Sequence, residues 1–375
     1  MIESKTTKGL LALWLIPGLG PRRIETLLQQ LGSLDAIFST SAAELARITG
    51  LKPDIVKSIS EGLNSKALHQ ELSFIEKYQL QVLDYTQATY PNLLREIYNA
   101  PPILYTRGDI DFNAGLPLAF VGSRKASFAG KSICQRLIRR LSELRPDTII
   151  VSGLALGIDS AAHKAALENG LKTIAVLAGG LSSIYPAQNR ALSDKIIENG
   201  ALVTEFPATT RPTARNFPLR NRIISGLSKG VTIVEAGERS GASITAGYAL
   251  EQNRELFALP GPADSKFSLG SNRMIQKGQA KLVIQPEDIL EETVTDFYHS
   301  QQQTSSDGLE VKNTVQLTIQ EEKIIEALKK GALHQNSLTN ITDIPVHQLL
   351  GILTELELKG LIISKPGSLY QSVEA

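Results

Sequence analysis

Between residues 81 and 292 the chain repeats one pattern: a short continuous apolar run, a turn carrying glycine or serine, then a stretch with helical spacing. The runs are Leu116–Val121, Thr148–Val151, Thr173–Leu177, Ala201–Val203, Val231–Val234, Leu256–Leu259 and Lys281–Ile284. Continuous rather than alternating apolar character predicts strands covered on both faces, which is the habit of parallel sheets. Stretches such as Asp159–Glu168 and Gly241–Asn253 lie between them with helical spacing. Strands alternating with helices give an α/β fold with a doubly wound parallel sheet.

The flanking segments differ. Residues 1–80 read as short helices, with two similar loops, Ile16-Pro17-Gly18-Leu19-Gly20 and Ile48-Thr49-Gly50-Leu51-Lys52-Pro53, each followed by an amphipathic stretch. That suggests a tandem repeat of helix, tight turn, helix. Residues 293–315 include Gln301-Gln302-Gln303-Thr304-Ser305-Ser306-Asp307-Gly308, too polar to offset the entropy of ordering, and read as a flexible linker. Residues 316–375 read as helices followed by a small hairpin, the pattern of a winged helix.

The net charge is only +1, so any nucleic-acid surface must be local. Cys134 is the single cysteine, which excludes an internal disulfide. The apolar run Leu10–Ile16 is too short to span a bilayer, and no membrane partner is expected. A cytoplasmic location is the expectation.

Candidate chemistry gathers at the carboxyl ends of the strands, where doubly wound sheets bind ligands. Gly122-Ser123-Arg124 ends the first run, with a glycine for close approach and an arginine suited to a phosphate. Ser152-Gly153-Leu154-Ala155-Leu156-Gly157-Ile158-Asp159 ends the second and opens a helix, but it is not the Gly-x-Gly-x-x-Gly dinucleotide fingerprint. Asp159 is read equally as a helix cap. No phosphate-binding Gly-x-x-x-x-Gly-Lys loop occurs, so no cofactor is expected. The histidines, at 69, 163, 299, 334 and 347, are too scattered for a metal site.

The most informative stretch runs from Phe206 to Val234. It holds Arg211, Arg215, Arg220, Arg222 and Lys229 without one Asp or Glu. Within it, Phe217, Arg220, Asn221 and Arg222 combine an aromatic ring, guanidiniums and an amide, which suit phosphates and unpaired bases. Ser240-Gly241 opens another helix at the same rim and offers backbone amides. Candidate acids for catalysis are few: Asp159, Glu205, Glu235 and Glu238. The loop Pro17–Gly20, with Arg22 and Arg23 beyond it, is a weaker phosphate candidate, because basic and acidic residues over 1–80 nearly cancel.

These motifs, together with Tyr185-Pro186, Phe217-Pro218-Leu219-Arg220-Asn221-Arg222, Ser240-Gly241-Ala242 and Phe257-Ala258-Leu259-Pro260-Gly261, closely resemble the DprA/Smf family in order and spacing. The resemblance implies an extended Rossmann-like sheet domain. It also implies a helical SAM-like, helix-hairpin-helix-like amino-terminal domain and a carboxyl-terminal winged helix. It implies a homodimer that binds single-stranded DNA, protects incoming DNA and helps load RecA recombinase in natural transformation, with no cofactor and no catalytic activity. Gly122, Ser123 and Arg124 would line the DNA pocket, and Arg220, Asn221 and Arg222 would form its basic wall. Ser152, Gly153, Arg211, Arg215, Phe217, Ser240 and Gly241 complete the expected DNA site. Where that family places a lysine near the Gly179–Tyr185 loop, this chain has Ser182 and Ser183, with Lys195 or Arg190 as possible substitutes. Two other readings compete: a nucleotide phosphoribohydrolase, whose Pro-Gly-Gly-x-Gly-Thr loop is replaced here by Glu235-Ala236-Gly237-Glu238, and a transcriptional regulator acting through the winged helix.

Overall fold

A computed structural model describes residues 4–238, 240–294, 318–329, 331–358, 361–365 and 369–372. The chain divides into two compact units, Met1–Ser300 and Gln301–Ala375. Nearly all of the segment expected as a linker lies outside the described residues, although a helix continues to Thr293.

The first unit is built on a nine-stranded sheet. Its strands are β1 (Gln81–Asp84), β2 (Ile103–Gly108), β3 (Leu116–Val121), β4 (Thr148–Ser152), β5 (Lys172–Val176), β6 (Gly200–Thr204), β7 (Gly230–Ile233), β8 (Glu255–Ala258) and β9 (Lys281–Leu282). Their order is β1-β2-β6-β5-β4-β3-β7-β8-β9. From β6 to β9 every neighbour is parallel, while β1 and β2 add an antiparallel edge. The seven apolar runs correspond to β3–β9; the antiparallel pair was not anticipated.

Both faces of the sheet are covered, which explains the continuous apolar runs. Along β3, Leu118 and Phe120 join a cluster with Leu137, Ile158 and Ile289, whereas Ala119 and Val121 join Ile223 and Ala246 on the other face. The covering helices are α8 (Phe128–Leu144), α9 (Ile158–Glu168), α10 (Arg190–Glu198), α11 (Asn216–Gly226), α12 (Gly241–Glu251), α13 (Leu269–Gln276) and α14 (Glu287–Thr293). A short α7 (Asn92–Arg95) links β1 to β2.

Six helices precede the sheet: α1 (Lys5–Trp14), α2 (Pro21–Leu31), α3 (Leu34–Ser39), α4 (Ala42–Thr49), α5 (Pro53–Glu61) and α6 (Lys66–Lys77). They do not form an independent core. Leu10, Leu13 and Leu68 share one apolar cluster with Tyr105, Leu177 and Leu202. Polar contacts fix the same junction. The Thr7 hydroxyl donates to the Asp84 carboxylate at 2.6 Å, the Trp14 indole N–H to the Glu205 carbonyl at 2.8 Å, and the Ala208 amide to the buried Glu71 carboxylate at 2.7 Å.

The second unit is a winged helix. Helices α15 (Ile319–Leu328), α16 (Gln335–Thr342) and α17 (Val346–Leu358) pack with a sheet of β10 (Leu333–His334), β12 (Leu369–Ser372) and β11 (Ile362–Lys365), in that order. Thr318 and Glu321 form a reciprocal capping box that starts α15. Ile324, Leu338, Leu349, Leu353 and Ile362 fill the core.

Candidate nucleic-acid interface

The strand order reverses at β3, which has β4 on one side and β7 on the other. Loops leaving neighbouring strands diverge at such a switch point and open a crevice. Here it is a cavity of about 850 Å³. Its lining includes Gly122, Ser123, Arg124, Phe217, Arg220, Asn221, Ser240 and Gly241, so these predicted residues do come together. A smaller apolar recess adjoins it, with Gly153 and Pro186 in its lining and Arg124, Tyr185 and Phe217 shared with the cavity.

Close approach of two loops shapes the floor. The Ser123 amide donates to the Glu235 carbonyl at 2.8 Å, and the Ile158 amide donates to the Ser123 carbonyl at 3.2 Å. Gly157 has φ of +88°, and a Cβ there would lie 2.1 Å from the Ser123 oxygen, so only glycine fits.

Arg220 is a buried fastening, 3 % exposed. Its guanidinium donates to the Gly153 carbonyl at 2.6 Å, to the Val176 carbonyl, and to the Asn221 side-chain oxygen at 3.2 Å. It thereby ties the ends of β4 and β5 to α11. Burial lowers its pKa to about 10, the neighbouring Asp159 resists that shift and the Arg124 charge adds to it, so Arg220 stays cationic at neutral pH. Asp159 accepts the Gly153 and Ala155 amides at 3.2 and 3.4 Å. Burial pushes its carboxyl above the usual range, and Arg220 opposes that.

His163 lies one turn further along α9, fully buried. Its Nδ1 is 2.7 Å from the Thr173 hydroxyl, which itself donates to the Ile150 carbonyl. That network assigns the proton to Nδ1. Burial, reinforced by Arg220, depresses the imidazole pKa to about 3.

Arg124 is placed differently. It is exposed, and its guanidinium lies 4.6 Å from the centroid of the Phe217 ring. Phe217 meets Tyr185 at 5.8 Å with the rings tilted by 59°, and Tyr185 is 53 % exposed. The mouth thus offers a cation and aromatic surface together. Arg124, Lys125, Arg220 and Lys266 face a single lining carboxylate, that of Asp159.

Several expected residues lie elsewhere. Arg222 is not part of the lining: it is buried, donates to the Asn99 carbonyl at 2.7 Å and pairs with Glu205. Ser152 is buried beneath the floor, its hydroxyl donating to the Phe120 carbonyl at 2.7 Å. Arg211 and Arg215 are exposed outside the lining. Lys195 borders a separate groove beside α9 and α10, and Arg190 is absent from the cavity lining, so neither supplies a lysine-like contact there. In the amino-terminal loop, Arg23 donates to the Gly18 carbonyl at 2.6 Å and Arg22 stacks 4.1 Å from the Tyr98 centroid. Lys125 and Lys266 line the cavity without having been anticipated; Lys266 sits in a loop after β8 that carries no local motif.

The candidate acids are also engaged. The Glu235 carboxylate accepts the Ser127 amide at 2.9 Å and the Ser127 hydroxyl. Glu205 pairs with Arg222, and Glu238 with Arg273.

Residues 81–294 match the family described as DNA recombination-mediator protein A, residues 311–368 match the DprA winged helix domain, and residues 10–65 match a SAM-like helix-hairpin-helix tandem. The DNA processing protein DprA of Bacillus subtilis is 39 % identical over 226 residues, which are 60 % of this chain and 75 % of that protein. Protein Smf of Synechocystis is 30 % identical over 393 aligned positions, covering 96 % of this chain and 98 % of the relative. Among solved structures, DNA processing protein A of Streptococcus pneumoniae superposes with a TM-score of 0.68 at 34 % identity, over 77 % of this chain and 98 % of that one. That of Helicobacter pylori, described by its single-stranded DNA binding mode, gives 0.51 at 29 % identity, over 57 % and 94 %. Switch-point architecture, outer domains and sequence thus agree, and the chain belongs to the DNA recombination-mediator protein A family, whose curated members are named DprA or Smf.

Proposed function

We infer that the chain binds single-stranded DNA in the switch-point cavity, with little sequence preference, and takes part in DNA processing. The observation that carries this reading is the cavity mouth. An exposed guanidinium, two lysines and two aromatic rings converge there, and the single lining carboxylate is held by backbone amides. Phosphates attract the cations, and unpaired bases stack on the rings without regard to identity. The description of the Helicobacter pylori relative as a single-stranded DNA binder supports the same reading. Protection of incoming DNA, RecA loading, homodimerisation and a cytoplasmic role in natural transformation complete the proposal and rest on family resemblance.

A phosphoribohydrolase would need an available carboxylate at the Glu235 loop, and Glu235 instead caps α8 through Ser127. The deciding experiment is competition between single-stranded and duplex DNA of equal length, run beside an assay of base release from AMP. Strong preference for the single strand with no base release is expected. Equal competition by duplex, or turnover of AMP, would overturn the proposal.

A further inference from the structure

Helix α8 carries a surface that the cavity does not use. It begins at the rim, where Ser127 caps it by accepting the Gly130 amide at 2.9 Å and is itself held by Glu235. Its first residue, Phe128, is 88 % exposed, more than any other large apolar side chain among the described residues. Nothing in the first unit's core needs a ring there. At about 100° per residue, Gln135 and Arg139 fall within roughly 20° of the line through Phe128, with Lys131 and Arg136 flanking it. All five are exposed, while Gly130, Cys134, Leu137, Ile138 and Leu141 form the buried face.

The charge of this stripe is uncompensated. The helix has one acid, Glu143, which pairs with Arg140 at 2.9 Å; Arg140 also reaches Glu287 at 3.5 Å. Lys131, Arg136 and Arg139 form no ion pair with a described residue. A row of unpaired cations headed by an exposed ring combines backbone attraction with a stacking platform. At about 1.5 Å per residue, the rise from Phe128 to Arg139 carries that row about 17 Å from the rim.

We propose that α8 is a second single-stranded DNA subsite: the strand leaving the cavity stacks a base on Phe128 and runs along Lys131, Arg136 and Arg139. This rests on the cavity reading, extending the same ligand outward by several nucleotides.

The test uses the full chain and fluorescent oligothymidines, one of about 6 nucleotides that the cavity can hold and one of about 25 that can also cover α8. The variants are Phe128→Ala and the pair Lys131→Gln with Arg139→Gln, with Arg124→Ala reporting on the cavity. Because the α8 side chains are exposed, unfolding midpoints should stay at the parent value. The α8 variants should keep short-oligonucleotide affinity within about twofold and lose about five- to tenfold on the long one. The double variant should also flatten the slope of log affinity against log salt by about 1.4 on the long strand, about 0.7 for each phosphate contact removed. Equal losses on both lengths would overturn the proposal by placing the effect in the cavity. Unchanged long-strand affinity would also overturn it and leave the stripe to an acidic protein partner. If Arg124→Ala leaves short-strand binding intact, the cavity reading fails separately, and the long-strand arm still decides α8.

Discussion

Arg124 and Arg220 both line the cavity, yet replacing each with alanine should produce different failures. Arg220→Ala removes a guanidinium that donates to the carbonyls of Gly153 and Val176, two acceptors in a floor closed to solvent. Each carbonyl left unpaired costs about 1–3 kcal/mol, so the loss of stability should be about 2–6 kcal/mol. For a domain of this size that corresponds to a fall in unfolding midpoint of roughly 4–20 °C. Arg124 is exposed, and its guanidinium lies over the Phe217 face. Arg124→Ala should leave the midpoint within about 2 °C and remove a charged contact to DNA worth about 1.5–3 kcal/mol, roughly ten- to hundredfold in affinity. Calorimetry and anisotropy on the same samples separate the two. An Arg220→Ala protein with a parental midpoint and weakened DNA binding would refute the assignment of Arg220 as a fastening and return it to the binding wall.

Stability should also respond to His163. Its imidazole titrates near 6.5 when unfolded and near 3 when folded, so between those values the unfolded chain binds the extra proton and stability falls as pH falls. The slope attributable to it is about 1.4 kcal/mol per pH unit, and denaturant titrations of the parent and His163→Gln from pH 7 to 4 should differ by that slope; parallel curves would contradict it. Gly157→Ala should be among the most damaging single changes on the rim, because its Cβ meets the Ser123 carbonyl at 2.1 Å and the backbone φ is +88°. A cost of about 1–3 kcal/mol from conformation alone, with contact strain added, should appear as a lowered unfolding midpoint and weakened single-strand binding.

The parallel core of the sheet was legible because strands buried on both faces must be apolar throughout. The antiparallel edge was not. In β2, Ile103-Leu104-Tyr105 follows two prolines and runs into Thr106-Arg107-Gly108, so four buried positions are framed as a loop. Charge counting found the arginine stretch but could not aim it. Its Phe217–Arg222 portion lies in α11, and residues two apart on a helix point about 200° apart. Arg220 and Arg222 therefore cannot face one cavity. Phe217, Arg220, Asn221 and Ile224 share a face and do line it, while Arg222 turns toward Glu205. Lys266 lay beyond sequence reading because only the crossing of β8 brings its loop to the rim.

The winged helix shows how a fold known for reading duplex DNA can lack the chemistry for it. Residues 316–375 hold five lysines and no arginine against seven acidic residues. The helix that would enter a major groove is α17, and Val346–Leu358 contains neither lysine nor arginine. A groove-reading helix lies beside dense phosphates and needs cations to neutralise them. Here Glu355 is exposed, and Glu357 accepts the Ser364 hydroxyl at 2.6 Å and the Ser364 amide at 3.2 Å, so a carboxylate sits where the wing begins. α17 also exposes two apolar side chains: Val346 and Leu350, each 42 % exposed, stand one turn apart. Spacing of four places both on one helix face, a geometry suited to a protein partner. The expectation is that deleting residues 310–375 leaves single-strand affinity within about threefold and creates no change in duplex affinity. A fluorescent single strand and a duplex titrated into the truncated protein provide the measurement. A loss of tenfold or more, about 1.4 kcal/mol, with the remaining unit still folded, would assign DNA contact to the winged helix despite its charge.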